Sequence, residues 1–370
     1  MLDRVYISPS RYVQGNGALS HLAQYTSFYG DTVLIVESAG GKKRLCEAIE
    51  KSRADAPDQR FIEEVFCGEC TMAEIERLVG VAKEINADLV LGIGGGKVID
   101  TAKGVAHFAD LPVMVAPTNA SSDAPCSALS VVYKPEGGLD QLLHLHRNPD
   151  VVLVDSAVVA TGSQRLLAAG IGDALATYFE MKALYEADGP NFIGTRITLA
   201  AYAIAEKCYD TLMKNGYKAY LANGRHVVTR AFEDVVEANI LLSGIGFESG
   251  GTSGAHAINN GLSANPRTAG HMHGEFVAFS IIAHLMLIDA DEELIWDMID
   301  FLHSVGLPVT LEELGYEGGI TEEELDLAAS IADGDEAIHR IVKTVDFDTV
   351  KAAILAADAM GCDFHERCCG

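Results

Sequence analysis

Asp88-Leu-Val-Leu-Gly-Ile93-Gly94-Gly-Gly96-Lys97-Val-Ile-Asp100-Thr-Ala-Lys103 decides the fold. Residues 89–93 are an apolar run of strand length. Three glycines follow at once, and a helical pattern opens directly after them. A strand that passes through a glycine turn into a helix begins a βαβ unit, and such units build parallel sheets. Glycine lets the backbone approach a ligand closely. The free N–H groups of a helix N-terminus attract a pyrophosphate. Neither GxGxxG nor GK[ST] is present, so a plain tight turn competes with a phosphate cradle. The strand before the glycines and Lys97 after them favour the cradle.

The same alternation extends on both sides. Strands are expected at 32–37, 60–66, 111–116 and 151–155, with helices at 42–53 and 71–86. A hairpin is expected at 129–133 and 142–145, around Pro135-Glu-Gly-Gly138. Beyond about residue 162 the glycine-punctuated strands stop. Helical patterns follow at 164–186, 192–214, 226–246, 276–289, 291–305, 321–333 and 347–366. The chain therefore divides into an α/β nucleotide-binding domain with a parallel sheet, 1–162, and an all-α domain, 163–370.

Composition bounds the function. The chain has 370 residues, 49% hydrophobic and 22% charged, with a formal net charge of −26. That charge argues against nucleic acid or an anionic membrane as partner. The longest strongly apolar run, 276–288, is too short to span a bilayer. Residues 1–7 lack the basic and apolar regions of a signal peptide. Eight cysteines follow no dense framework, which points to a reducing cytoplasm. Cys67-Gly-Glu-Cys70 has no second CxxC pair at zinc-ribbon distance, and Cys368-Cys369 should be exposed at the tail.

Three places carry candidate chemistry. Glu37 ends a strand, where an acid can accept hydrogen bonds from ribose hydroxyls. It precedes the glycine turn, so the usual Rossmann order does not apply, and a solvated strand end competes. The stretch 118–130 gathers hydroxyls and Asp123 at another strand's C-terminal end, the side on which open α/β sheets bind ligands. Asp123 could meet a hydroxylated substrate, or form a turn before Ala124-Pro125. Lastly, His256, His271 and His273 fall within eighteen residues of a small-residue segment. Upstream, Asp173 is the sole charge in an otherwise small and apolar run. A buried carboxylate demands a partner or a cation, and neutral imidazole is a common metal ligand. Two packing histidines and a helix-capping aspartate are the competing reading.

Four segments together resemble the glycerol dehydrogenase family of metal-dependent, "iron-containing" alcohol dehydrogenases, related in fold to dehydroquinate synthase. They are Gly94-Gly-Gly-Lys-Val-Ile-Asp100-Thr-Ala-Lys103, Pro117-Thr-Asn-Ala-Ser-Ser-Asp123-Ala-Pro-Cys-Ser-Ala-Leu-Ser130, Gly172-Asp173-Ala-Leu-Ala-Thr177 and His273-Gly-Glu275. The resemblance runs in register from Tyr6 to at least Ala290. It implies an NAD-binding N-terminal domain, a helical C-terminal domain, and zinc in a cleft between them. The implied metal ligands are Asp173, His256 and His273, holding about one zinc per chain. Asp123 is implied to contact the polyol. Glu37, Gly95, Gly96, Lys97, Asp100, Thr118, Ser121, Ser127, Leu129 and Tyr133 are implied to line NAD.

Two departures stand out. The iron-dependent members carry a histidine one turn after the ligand Asp, where this chain has Thr177; three ligands favour zinc. Glu37 stands where a shorter acid is common. The expected activity is NAD-dependent oxidation of glycerol, or a similar vicinal polyol, to the hydroxyketone. A reductase of another diol or hydroxyketone is the alternative. A lyase of the dehydroquinate synthase type would need clustered cations, yet Arg267 is the only Lys or Arg in 251–275. A catalytically silent NAD-binding protein is disfavoured by the retained ligand set. His271 is either a relay group near the metal or a solvated loop histidine. The family suggests a large homo-oligomer, such as an octamer.

Overall fold

The computed structural model describes residues 3–369, with only the backbone of Cys369. The chain forms two compact units. One comprises 7–163 and 222–244; the other comprises 3–6, 164–221 and 245–369. The sequence suggested a single cut at 162. The chain does change unit at Ser163, but it returns for 222–244 before the second unit is completed.

The first unit is built on strands β1 (Tyr12–Gly15), β2 (Thr32–Glu37), β3 (Arg60–Val65), β4 (Leu89–Gly94), β5 (Val113–Pro117), β6 (Leu129–Tyr133), β7 (Leu139–His144) and β8 (Val151–Asp155). Six of them form one parallel sheet in the order β1-β8-β5-β4-β2-β3, while β6 and β7 pair as an antiparallel hairpin. Strands β2, β4, β5 and β8 are buried throughout. Continuous apolar runs are the pattern of a sheet covered on both faces. The crossover helices are α1 (Ala39–Asp55), α2 (Met72–Glu84) and α3 (Gly96–Ala109). From β2 the chain passes to β3 on one side, then to β4 on the other. The topological switch point is therefore between β2 and β4, where such sheets bind ligands.

Strand β1 was not foreseen, because it is a half-buried edge strand of four residues. Segment 222–244 carries a buried apolar face, Phe232, Val235 and Val236, and is also tied to this unit by polar side chains. Asn223 Nδ2 donates to the carbonyls of Ala160 and Gly162, at 3.1 and 3.2 Å. Asn239 Nδ2 donates to Ala120 O at 3.0 Å, and Ser156 Oγ to Glu233 Oε1 at 3.0 Å.

The second unit is helical: α4 (Gln164–Glu186), α5 (Leu199–Asn223, its last residues in the first unit), α6 (Gly254–Ser263), α7 (His273–Leu287), α8 (Glu292–Ser304), α9 (Glu322–Asp333) and α10 (Phe347–Cys369). Helix α7 is buried from Gly274 to Leu285 without interruption. A helix apolar on all sides belongs at the centre of a bundle. Helix α6 was not predicted, and α7 begins three residues earlier than expected, which puts His273 at its first position. No helix among the described residues is long and apolar enough to cross a membrane.

Candidate active site

In the helical unit, Asp173, His256 and His273 converge. Their ligand atoms lie within 4.8 Å of one another. His273 Nε2 is 3.3 Å and His256 Nε2 3.5 Å from the same oxygen, Asp173 Oδ1. Glycine makes this possible. A Cβ on Gly172 would stand 2.3 Å from Gly274 O, and a Cβ on Gly274 would stand 1.8 Å from Ala169 O. The backbones of α4 and α7 therefore touch beside Asp173 and His273. Neither position accepts alanine without moving a helix.

Electrostatics bind the three groups further. Burial alone would raise the Asp173 pKa, but His256 and His273 outweigh it and hold the carboxyl well below its ordinary range. Burial disfavours the His256 cation, yet Glu180 and Asp173 together raise its pKa well above the ordinary value. Glu180 is fully buried on α4 and its pKa is lowered: burial opposes this, and His256 provides the largest compensation. Its Oε1 accepts the N–H groups of Ser253 (2.7 Å) and His256 (2.9 Å). Its Oε2 lies 2.6 Å from His256 Nδ1. An ionised carboxylate only accepts, so Nδ1 is the donor there. That leaves the Nε2 lone pair of neutral His256 free for a metal.

One carboxylate oxygen and two imidazole nitrogens suit a divalent transition metal with open positions for substrate. Thr177, where a fourth ligand might have stood, is buried with its methyl group in the path of any Cβ added to Gly246. His271 is turned to the Thr268 carbonyl, 3.2 Å from Nδ1, and is not a member of the cluster. Glu275 accepts the Met272 N–H at 2.7 Å and pairs with Arg165, which fixes the start of α7.

In the α/β unit, β2 and β4 place Glu37 beside Ile93 in register, so the acid and the Gly94–Gly96 turn are neighbours at the switch point. Glu37 is fully buried and neither carboxylate oxygen has a hydrogen-bond partner. Burial, reinforced by Glu63, pushes its pKa to about 7 against the opposing Lys42 and Arg53. Helix α3 follows Gly95, which gives it no side-chain cap, and a Cβ at Gly96 would meet open space. An uncapped helix N-terminus with room beside it fits a pyrophosphate, and an unpartnered strand-end acid fits a ribose.

The other predicted cofactor residues differ in how they are used. Lys97 is exposed, pairs with Glu69 at 2.6 Å and stands 5.6 Å from the centroid of the Tyr133 ring. Thr118 N donates to Gly94 O at 2.9 Å, tying the next loop to the glycine turn. Ser121 Oγ donates to Asn119 Oδ1 at 2.8 Å. Ser127 is buried, and Leu129 and Tyr133 are the ends of β6. Asp100 is turned inward, 2.9 Å from Lys103 Nζ and accepting the Val131 N–H at 3.3 Å. Sequence reading assigned Lys103 no role. Its fully buried ammonium donates to the carbonyls of Ala124 (2.9 Å), Ser127 (3.4 Å) and Leu129. It thereby pins the loop that carries Asp123. The signal was present: an Asp and a Lys three residues apart in an otherwise apolar helix share one face. Asp123 Oδ2 accepts from Ser243 Oγ at 2.8 Å, inside the same unit.

Comparison with known proteins identifies the family. Residues 9–156 match the iron-containing alcohol dehydrogenase family. The chain is 44% identical over 368 residues to a glycerol dehydrogenase of Escherichia coli O6:H1, covering 99% of this chain and 100% of that one. It is 44% identical to the Thermotoga maritima glycerol dehydrogenase, over 96% and 97% of the two chains. The crystal structure of glycerol dehydrogenase from Schizosaccharomyces pombe matches with a TM-score of 0.94 at 35% identity, covering 99% of this chain and 93% of that one.

Proposed function

The chain belongs to the glycerol dehydrogenase family of iron-containing alcohol dehydrogenases, and from that premise we propose that it oxidises glycerol to the hydroxyketone with NAD and zinc. It is an oxidoreductase acting on CH–OH donors. The observation that carries the proposal is the meeting of Asp173, His256 and His273 around one carboxylate oxygen. Zinc held there supplies a Lewis acid that lowers the pKa of a substrate hydroxyl toward neutrality, and NAD supplies the hydride acceptor.

The chain's own groups do the rest. Glu180 keeps a proton on His256 Nδ1, so that Nε2 is presented as a lone pair. The Gly172–Gly274 contact fixes the spacing of Asp173 and His273. Gly95 and Gly96 leave the N–H groups of α3 open to a pyrophosphate, and Glu37 receives the ribose hydroxyls of NAD. Asp123 accepts a hydrogen bond from a glycerol hydroxyl. The loop hydroxyls at Ser121 and Ser122 offer a route for the departing proton. Zinc is preferred to iron because the position of a fourth ligand holds Thr177. We read the protein as a cytoplasmic homo-oligomer. Cys368 is exposed as expected; the side chain of Cys369 is outside the described residues.

The test is NADH formation from glycerol by metal-free and zinc-restored protein. Activity should require zinc, and His256→Ala should lose metal and turnover together. Full activity of His256→Ala after dialysis against a chelator overturns the ligand assignment.

A further inference from the structure

We propose that the helical unit carries a second binding site for a zinc-type divalent cation, formed by His303, Glu313 and His365. These residues come from three elements: the C-terminal turn of α8, the turn at Glu312–Leu314, and α10. No member is shared with the cluster of Asp173, His256 and His273. The ligand atoms of the three residues lie within 4.8 Å of one another. Glu313 Oε1 is 3.3 Å from His365 Nε2, and the two imidazole rings are 5.2 Å apart. A tetrahedral zinc with bonds of about 2.0–2.1 Å holds neighbouring ligand atoms about 3.3 Å apart. The pair already has that spacing.

The donors are held in place. Glu313 Oε2 accepts the N–H groups of Val309 (2.8 Å) and Thr310 (3.1 Å) and the Thr310 hydroxyl (3.2 Å). This leaves Oε1 to face His365. Helix α10 reaches this turn only because residue 361 is glycine: a Cβ there would stand 2.0 Å from Val309 O. One helical turn later, the same face of α10 presents His365. Asp358, one turn earlier, accepts the Leu311 N–H at 2.7 Å and pins the same segment. His303 packs edge-on against Phe364, with ring centroids 5.3 Å apart. The site therefore joins a carboxylate fixed by three hydrogen bonds, and His365 on a helix seated at Gly361, to an exposed His303 that rests against Phe364.

The surroundings favour a cation. The Cys362 thiol beside the site has its pKa raised, by burial first and then by Asp358, Glu312, Glu366 and Glu313. All four of these charges are negative. Mixed nitrogen and oxygen donors select zinc, nickel or copper over calcium or magnesium, which take oxygen. The side chains of His365 and Glu313 are 33% and 37% exposed, which leaves an entry path and an open position for water.

The experiment measures zinc stoichiometry of the full chain by equilibrium dialysis after chelator treatment. Wild type should bind about two zinc ions, and His365→Ala and His256→Ala about one each. The double variant should bind none. His303→Ala gives the same loss as His365→Ala and guards against a folding defect in either. Zinc should raise the Tm of His256→Ala but not that of His256→Ala/His365→Ala. A wild type that saturates at one zinc, with none lost in His365→Ala, overturns the proposal and leaves a Glu313–His365 ion pair. Loss of one zinc in His365→Ala with none lost in His256→Ala sinks the catalytic assignment instead and leaves this site standing.

Discussion

Replacing Glu180 by Gln conserves volume and removes one acceptor, and its effect follows from counting hydrogen bonds. The carboxylate accepts three: Ser253 N–H and His256 N–H at Oε1, and His256 Nδ1–H at Oε2. An amide has one oxygen and one NH₂. If the oxygen stays on the two backbone donors, the NH₂ faces Nδ1. The imidazole must then accept at Nδ1 and carry its proton on Nε2, the atom proposed to bind the metal. If the amide is flipped, two buried N–H groups lose their acceptor, at about 1–3 kcal/mol each. The first arrangement is less costly to the fold and more costly to the metal. Loss of an outer carboxylate on a ligating histidine typically weakens metal binding by about 10–100-fold, or about 1.4–2.7 kcal/mol. Because the tautomer also switches, Glu180→Gln should fall at the upper end of that range. The assay is competition for zinc between the protein and a chromogenic chelator, with a thermal melt of the metal-free variant as the folding control. Zinc affinity within about twofold of wild type, on a folded variant, would refute the tautomer argument.

Three further outcomes are expected. Asp123→Asn should lower glycerol turnover by about 1–3 kcal/mol of mismatched hydrogen bonding while leaving NAD affinity nearly unchanged; equal losses in both, from steady-state kinetics, would assign Asp123 to the turn with Ser243 instead. Glu37→Ser should weaken NAD binding and narrow its preference over NADP, since it removes both the ribose acceptor and the repulsion of a 2′-phosphate; an unchanged NAD/NADP ratio would move selectivity elsewhere. The raised Glu37 pKa, about 7 against 4.5, also makes a stability prediction. The folded state holds this proton where the unfolded state has lost it, so the NAD-free protein should lose stability as pH rises from about 4.5 to about 7. Glu37→Gln should flatten that part of the profile in denaturant titrations, and an unchanged slope would show that the acid is already hydrated.

The parts of the fold that could be read from sequence are those where the apolar period and the turn chemistry agree. Strand β4, its glycines and α3 are one such case, because the strand is buried on both faces and the helix starts immediately. Helix α4 was located to the residue for the same reason. Edge strand β1 has too few residues and too little burial to show a period. Segment 222–244 shows a helical period but not the unit it belongs to, and the asparagine side chains that tie it to distant carbonyls of the α/β unit leave no mark on local pattern. Glu180 shared the property that identified Asp173, a lone acid in an apolar stretch. It lies seven residues further along, two turns on the same face of α4.

Helix α6 is the most instructive miss, because the features that hid it are the ones the site requires. Its sequence, Gly254-Ala-His256-Ala-Ile-Asn-Asn-Gly261-Leu-Ser263, has two glycines and two asparagines, each a poor helix former. Glycine in a helix interior costs about 1 kcal/mol relative to alanine, so local propensity reads the stretch as a loop. Each glycine has a close neighbour: a Cβ on Gly254 would stand 2.5 Å from His284 Nδ1, and one on Gly261 would stand 2.1 Å from Ala328 O. Gly172 and Gly274 repeat the arrangement on α4 and α7. Asp173, His256 and His273 are thus all on helices that meet others at backbone distance. Only at that distance can short side chains such as Asp173 reach across to a histidine of another helix. Low helix propensity around His256 and His273 is therefore the local sign of close approach, and its energetic cost is offset by the burial of α7 on every side.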